Sequence, residues 1–262
     1  MPGIERHPAG AFCWVELGPT DATAARAFYG GLFGWTPEDM PMAPGQTYTM
    51  LKLAGLELGA MYTLTEEMRR QGVPPNWMLY VNVGSVDEMI AKVAAAGGEV
   101  VTGPFDVADA GRMAVLRDPQ GAVVSIWQPK NHIGIRIAGV VGTLCWSELA
   151  TTDRAKAREF YTAVFGWGAR ISHMEPVEYT QWMAGEMPAG GMLEMTEEWH
   201  GAPPHWMPYF LVADCDASAE KAAELGGQIV VPPMDVPQVG RFAVLCDPQG
   251  AHFSVIHPTA GE

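Results

Sequence analysis

The chain has 262 residues, 48% hydrophobic and 18% charged, with a formal net charge of −14. That is enough apolar material for two cores, and the acidic balance excludes a nucleic-acid or anionic-membrane surface, both of which need clustered Lys and Arg. No apolar run reaches the length of a bilayer span and residues 1–10 lack the apolar core of a secretion signal, so a cytoplasmic protein is expected.

In chain order, Phe12 to Gly18 reads as a strand, with Cys13, Val15 and Leu17 on one face and Trp14 and Glu16 on the other. Thr20 or Asp21 then caps a helix whose Ala25, Phe28, Tyr29 and Leu32 recur at helical spacing. Tyr48 to Leu53 and Leu56 to Leu64 are expected as strands joined by a turn at Ala54-Gly55. After a loop at Val73-Pro74-Pro75 come a strand from Asn76 to Val83 and a helix from Val86 to Ala96, stopped by Gly97-Gly98. Glu99 to Val107, Arg112 to Arg117 and Ala122 to Gln128 complete the set as strands. The last two are linked by the turn Asp118-Pro119-Gln120-Gly121. This is strand–helix–three strands, twice over.

The pattern then recurs. Trp14 and Trp146, and Trp35 and Trp167, are each separated by 132 positions, and Thr20-Asp21, Ala25-Arg26 and Phe28-Tyr29 return as Thr152-Asp153, Ala157-Arg158 and Phe160-Tyr161. Near the end, Gly111-Arg112 and Asp118-Pro119-Gln120-Gly121-Ala122 return as Gly240-Arg241 and Asp247-Pro248-Gln249-Gly250-Ala251. A fixed period of this length means a duplicated domain. The expected division is a first domain over 1–130, a linker over 131–142 and a second domain over 143–262. The cysteines Cys13, Cys145, Cys215 and Cys246 show no CxxC spacing and read as buried free thiols.

These motifs resemble the vicinal oxygen chelate superfamily, which holds glyoxalase I, bleomycin- and fosfomycin-resistance proteins and extradiol dioxygenases. The likeness is closest to the two-domain glyoxalase-like proteins of actinobacteria. It implies an α+β fold: tandem glyoxalase-like domains, each of two strand–helix–three-strand units whose curled, mostly antiparallel sheets surround a cleft. It also implies where a metal chelate would stand. The first ligand, usually His, falls seven residues before the helix-opening Asp, on Trp14 and Trp146. The second falls at Gly59 to Met61 and at Gly190 to Met192, with Glu57 nearby. The third falls on Met78 and Met207, and the fourth on Ser125 and Ser254. Trp cannot ligate a divalent metal, and Met and Ser ligate it poorly. No metal or other cofactor is therefore expected.

Alternation places Trp14, Glu16, Met78, Tyr80, Ser125 and Trp127 on the inward face of the first repeat, with Met61. Trp146, Glu148, Met207, Tyr209, Ser254 and Ile256 take that face in the second, with Met192. These positions make either a small organic-ligand pocket or a cleft filled as core. Glu16 and Glu148 are the candidate catalytic groups, since an inward carboxylate has to find a partner; the structural alternative is a hydrogen-bonded Glu that holds a neighbouring loop. Arg112 with Asp118, and Arg241 with Asp247, are expected as structural ion pairs. His7, His132, His173, His200, His205, His252 and His257 share no spacing between repeats, although His205 and His252 could both face the second cleft. No Cys–His motif or Gly-rich phosphate loop supports nucleophilic or nucleotide chemistry.

The sequence thus reads as a monomeric or homodimeric protein that binds a small, partly apolar or aromatic molecule without a metal. An antibiotic-sequestering resistance protein is the same reading with its ligand specified. The competing class is a glyoxalase-like lyase, dioxygenase or hydroxylase working through Glu16/Tyr80 or His205/His252.

Overall fold

The computed structural model describes residues 3–43, 46–174, 177–199 and 201–259. The first half runs β1 (Phe12–Gly18), α1 (Ala22–Phe33), β2 (Thr36–Ala43), β3 (Gln46–Leu53), β4 (Leu56–Tyr62) and a short α2 (Glu66–Arg70). It continues with β5 (Asn76–Asn82), α3 (Val86–Ala95), β6 (Glu99–Val107), β7 (Gly111–Arg117) and β8 (Val123–Pro129). The second half repeats this as β9 (Leu144–Thr151), α4 (Arg154–Phe165), β10 (Gly168–Met174), β11 (Val177–Ala184) and β12 (Met187–Glu194). After one 3-10 turn at Glu197–Trp199 come β13 (His205–Leu211), α5 (Cys215–Glu224), β14 (Gln228–Val236), β15 (Gly240–Cys246) and β16 (His252–Pro258).

Each half is one eight-stranded sheet, β2-β3-β4-β1-β5-β8-β7-β6 in the first and β10-β11-β12-β9-β13-β16-β15-β14 in the second. The units therefore pair within a repeat, through antiparallel β1–β5 and β9–β13. Only β1–β4, β5–β8 and their counterparts β12–β9 and β13–β16 are parallel. The sheets do not close, which leaves one face of each free to curl round a cleft. Strand β2 gave no alternating signal because Pro37 and Pro41 interrupt it, and it is tolerated because it lies at a sheet edge.

Asp21 caps α1 by accepting the amides of Thr23 and Ala24 at 2.8 and 3.1 Å, and Gly34, at φ 72°, ends the helix in the left-handed conformation. Asp153 and Gly166 do the same for α4. The helix-facing sides of the two sheets share one aromatic core. Tyr29, Phe33, Trp35 and Trp77 of the first half pack with Phe210 and Phe253 of the second. Reciprocally, Trp167 and Trp206 pack with Phe12.

The Asp-Pro-Gln-Gly turns belong to this shared core. Asp118 accepts the amides of Gln120, Gly121 and Ala122 with one oxygen and the Tyr161 hydroxyl, 3.1 Å away, with the other. Asp247 likewise holds its own turn and accepts from Tyr29 at 3.1 Å. The expected Arg112–Asp118 and Arg241–Asp247 pairs therefore do not form. Arg112 and Asp118 stand at opposite ends of a strand, six residues or about 20 Å apart. Arg112 instead binds Asp87 and Asp106, and Arg241 binds Asp216 and Asp235.

No helix among the described residues is long and apolar enough to cross a membrane. The cysteines are free, and all but the half-buried Cys145 are buried.

Candidate functional site

Register decides which side chains reach each cleft. In the first sheet Trp14 stands opposite Tyr80 and Glu16 opposite Met78; Tyr80 in turn stands beside Ser125, and Asn82 beside Trp127. On the other side of β1, Glu16 stands beside Ala60, and Ala60 opposite Met50. Partners across a ladder share a face, so Trp14, Glu16, Met78, Tyr80, Ser125 and Trp127 line one cleft. The second sheet matches: Trp146 faces Tyr209, Glu148 faces Met207 and stands beside Gly191, and Tyr209 stands beside Ser254.

Met61 and Met192 are placed elsewhere. They register with Leu17 and Leu149, on the helix-facing side, so the cleft positions of β4 and β12 belong to Ala60 and Gly191. The reason is a slip of one residue, which moves a side chain to the other face of a sheet.

In each cleft the carboxylate is the centre of a four-member chain. The Trp14 indole donates to the Tyr48 hydroxyl at 3.1 Å, Tyr48 donates to Glu16 Oε1 at 2.5 Å, and Tyr80 donates to Glu16 Oε2 at 2.6 Å. In the second cleft Trp146 donates to Tyr179 at 2.8 Å, Tyr179 to Glu148 Oε2 at 2.8 Å, and Tyr209 to Glu148 Oε1 at 2.6 Å. Burial raises the pKa of both carboxyl groups above the ordinary value, with the tyrosine hydrogen bonds working against it. Burial and the neighbouring carboxylate together raise all four tyrosines, so these remain donors.

Tyr48 and Tyr179 escaped the sequence reading. Their signal was a shared Tyr-Thr pair, Tyr48-Thr49 and Tyr179-Thr180, whose 131-residue offset departs by one from that of Trp14 and Trp146. Each tyrosine hydroxyl has one hydrogen and two lone pairs. Tyr48 and Tyr179 each donate to Glu and accept from Trp, so one acceptor site on each stays available. Ser125, fully buried on the cleft face, has a hydroxyl without a partner.

The first cleft has a further occupant. Residues 132–136 cross back over the sheet, with the Ile135 amide on the Cys13 carbonyl at 2.7 Å and the Arg136 amide on the Glu57 carbonyl at 2.6 Å. This brings the His132 ring edge-on to Trp14, with centroids 4.8 Å apart, while the Trp127 indole donates to the His132 carbonyl at 2.9 Å. His132 Nε2 lies 3.5 Å from Glu57 Oε2. Burial lowers its pKa.

The other histidines are spread out. His7 binds the Ile135 carbonyl and His257 binds that of Val212. His205 and His252 begin the neighbouring strands β13 and β16 on the cleft side, each with Nδ1 on a backbone carbonyl, of Pro203 and Gly250 respectively. His200 and the side chain of His173 lie outside the described residues.

The donor set does not suit a divalent metal. The four chelate positions hold Trp14, Ala60, Met78 and Ser125 in the first cleft, and Trp146, Gly191, Met207 and Ser254 in the second. The inward carboxylate of each cleft already accepts one tyrosine hydroxyl on each oxygen. Among the described residues, no group of three or more His, Cys, Asp or Glu side chains is close enough to hold a metal ion. What each site holds is an indole, a tyrosine hydroxyl that can accept another hydrogen bond, and a buried carboxyl group. Two surface hollows of about 350 and 260 Å³ lie away from the clefts, at Asp235 to Arg241 with His257 and at Asp153 to Arg158 with Glu178 and Glu194.

The chain is similar to known proteins in sequence and in fold. The sequence pattern of the Glyoxalase/Bleomycin resistance protein/Dioxygenase superfamily matches residues 12–126 and again 137–255. The glyoxylase-named protein CFP32 of Mycobacterium tuberculosis is 43% identical over 262 residues, covering 98% of each chain. The anthracycline biosynthesis protein DnrV of Streptomyces peucetius is 35% identical over 268 residues, covering 98% of this chain and 97% of its own. Among solved structures, the Mn(II)-bound glyoxalase of Novosphingobium aromaticivorans superposes with a TM-score of 0.65 at 16% identity, over 95% of this chain and 82% of its own. The 2,3-dioxygenase LapB of Pseudomonas sp. KL28 reaches 0.62 at 12% identity, over 100% and 94%. At these identities the structural likeness speaks for the fold.

Proposed function

Because the chain belongs to the Glyoxalase/Bleomycin resistance protein/Dioxygenase superfamily, we propose that it holds a small, partly apolar or aromatic molecule in its Trp/Tyr-walled clefts without a catalytic metal. The observation that carries this reading is the repeated tetrad. Both clefts replace the chelate positions with the same residue types at three of four places, and both tie their inward carboxylate to two tyrosines. An anthracycline-pathway relative is in keeping with a flat, hydroxylated ligand.

An enzymatic reading would assign Glu16 or Glu148 to proton transfer, since a raised pKa suits a general base. Both oxygens of each carboxylate already accept a tyrosine hydroxyl, which favours a role in orienting the tyrosines instead.

Burying a ring face of about 150 Å² at roughly 25 cal/mol per Å² yields about 4 kcal/mol, and one hydrogen bond adds about 1. That corresponds to a dissociation constant of roughly 0.1–1 mM. Thermal-shift measurements with millimolar 1-naphthol should therefore raise the Tm, whereas cyclohexanol should not. Elemental analysis after purification without chelators should find far less than one equivalent of Zn, Ni, Mn or Fe per chain. One tightly held equivalent would sink the metal-free reading.

A further inference from the structure

Strands β13 and β16 open on His205 and His252, whereas their first-half counterparts β5 and β8 open on Asn76 and Val123. A methionine follows two residues after the first of these positions in both halves, Met78 in one and Met207 in the other. His205 and Met207 are alternate residues of β13 and share its cleft face with Tyr209. Tyr209 stands beside Ser254 in the parallel ladder to β16, so Met207, one pleat earlier, comes level with His252. The three side chains thus take adjacent places on one face of two neighbouring strands.

Both imidazoles are held in the same way. Each turns Nδ1 to the carbonyl oxygen two residues before it, His205 to Pro203 at 2.8 Å and His252 to Gly250 at 3.1 Å. A carbonyl oxygen only accepts, so Nδ1 carries the hydrogen and Nε2 keeps its lone pair. A backbone carbonyl on the other ring nitrogen is also what fixes the tautomer and orientation of metal-bound histidines. Asn76 takes the same posture, its amide donating to the Pro74 carbonyl at 2.7 Å. The entry to the strand therefore sets the posture, and the imidazole adds the lone pair. Burial lowers the pKa of His205, and the nearness of His252 lowers it further.

We propose that His205, Met207 and His252 form a copper(I) site at the mouth of the second cleft. Imidazole nitrogen accepts several transition metals, but a thioether is soft and selects Cu(I), so copper is the ion that suits both kinds of donor. Two neutral imidazoles and a thioether bring no negative charge, which fits a soft monovalent ion rather than a hard divalent one. Met207 is buried, His205 half-buried and His252 exposed. An ion therefore enters at His252 and meets the sulfur at the back. The site lies beside the tetrad of Trp146, Tyr179, Glu148 and Tyr209, and the inference goes beyond the small-molecule reading without resting on it.

Titration of the full chain with Cu(I) tests this, the ion being delivered as its ferrozine complex under ascorbate and nitrogen. Bleaching of the complex reads transfer of copper to the protein. The expected result is one equivalent taken up per chain, bound at least tenfold more weakly after His205→Asn, His252→Val or Met207→Leu. The first two variants place the first-half residue in the second half, and Met207→Leu keeps the side-chain volume, so each should fold; far-UV circular dichroism checks this. The free thiols are the rival ligands. An equivalent that survives in the double variant His205→Asn/His252→Val is held elsewhere and overturns the proposal, as does no uptake by the unaltered chain. The double variant Asn76→His/Val123→His sets the same trio around Met78 and should gain a second equivalent, which misfolding cannot imitate. Zn(II) affinity, read by calorimetry, should be unchanged by Met207→Leu, since the imidazoles alone serve that ion. If Cu(I) affinity is equally unchanged, the sulfur is not a ligand and the copper assignment falls.

Discussion

Glu16 and Glu148 are buried carboxyl groups whose pKa is raised chiefly by burial, only partly offset by two tyrosine donors each. A raised folded-state pKa means that the folded protein binds the proton more tightly than the unfolded chain does. The associated stability is full below the ordinary carboxyl value of 4.5 and is lost as pH rises through the folded-state value. Urea denaturation of the unaltered chain and Glu16→Gln across this range should therefore show their stability difference shifting against the unaltered chain as pH rises. The change should be about 1.4 kcal/mol for each pKa unit of separation. A pH-independent difference would mean that Glu16 titrates as it does in the unfolded chain. At neutral pH the Gln side chain accepts from only one of Tyr48 and Tyr80, so a net destabilisation of about 1–3 kcal/mol is also expected.

Among the elements, α1 depends on contributions from both halves of the chain. Its own Asp21 carboxylate caps two amides, while Gln249 of the second half accepts from the amides of Thr20 and Asp21 at 2.8 and 2.7 Å. Gln120 returns the arrangement by donating to the Asp153 carbonyl at 3.0 Å and accepting from Thr151. Asp21→Ala removes one cap and should cost about 1 kcal/mol, within a range of roughly 0.5–2, read as a lower urea midpoint at unchanged slope. A change of slope would instead show that the helix start controls how much surface the native state buries. Strand pairing is the second element-scale determinant. One position of register separates Ala60, in the cleft, from Met61, in the core, and alternation read along a single strand does not reveal which of them faces inward.

At the scale of the molecule, the two sheets turn their helix-bearing faces toward one another and their clefts outward. Each domain completes the other's core: the Trp35 indole donates to the Gly142 carbonyl at 2.6 Å and Trp167 to that of Gly10 at 2.9 Å. Tyr29 links Trp77 to Asp247, and Tyr161 links Trp206 to Asp118. Because one core serves both sheets, the chain should unfold in a single transition by calorimetry and by fluorescence. Tyr29→Phe leaves the Trp77 donor and an Asp247 oxygen without their partner, and should cost about 1–3 kcal/mol while preserving that single transition. Two resolved transitions in the unaltered chain would mean that the domains are energetically independent.

The sequence by itself determined the architecture. A 132-residue repeat, period-two strands and capped helices are local signals, and local backbone preference follows from neighbouring residues whatever the rest of the chain does. It also identified Trp14, Glu16, Met78, Tyr80 and their second-half equivalents as companions, because alternation along single strands orders them on one face. Three matters were decided only by tertiary structure. Tyr48 and Tyr179 joined the carboxylates through a hairpin one residue out of step between the repeats. Asp118 and Asp247 found tyrosines of the opposite domain instead of the arginines on their own strand, since about 20 Å of extended chain separates those arginines from them. His132 reached Trp14 only because the connecting segment folds back along β1. Contacts of that kind depend on where distant parts of the backbone come together, and spacing along one chain carries no record of it.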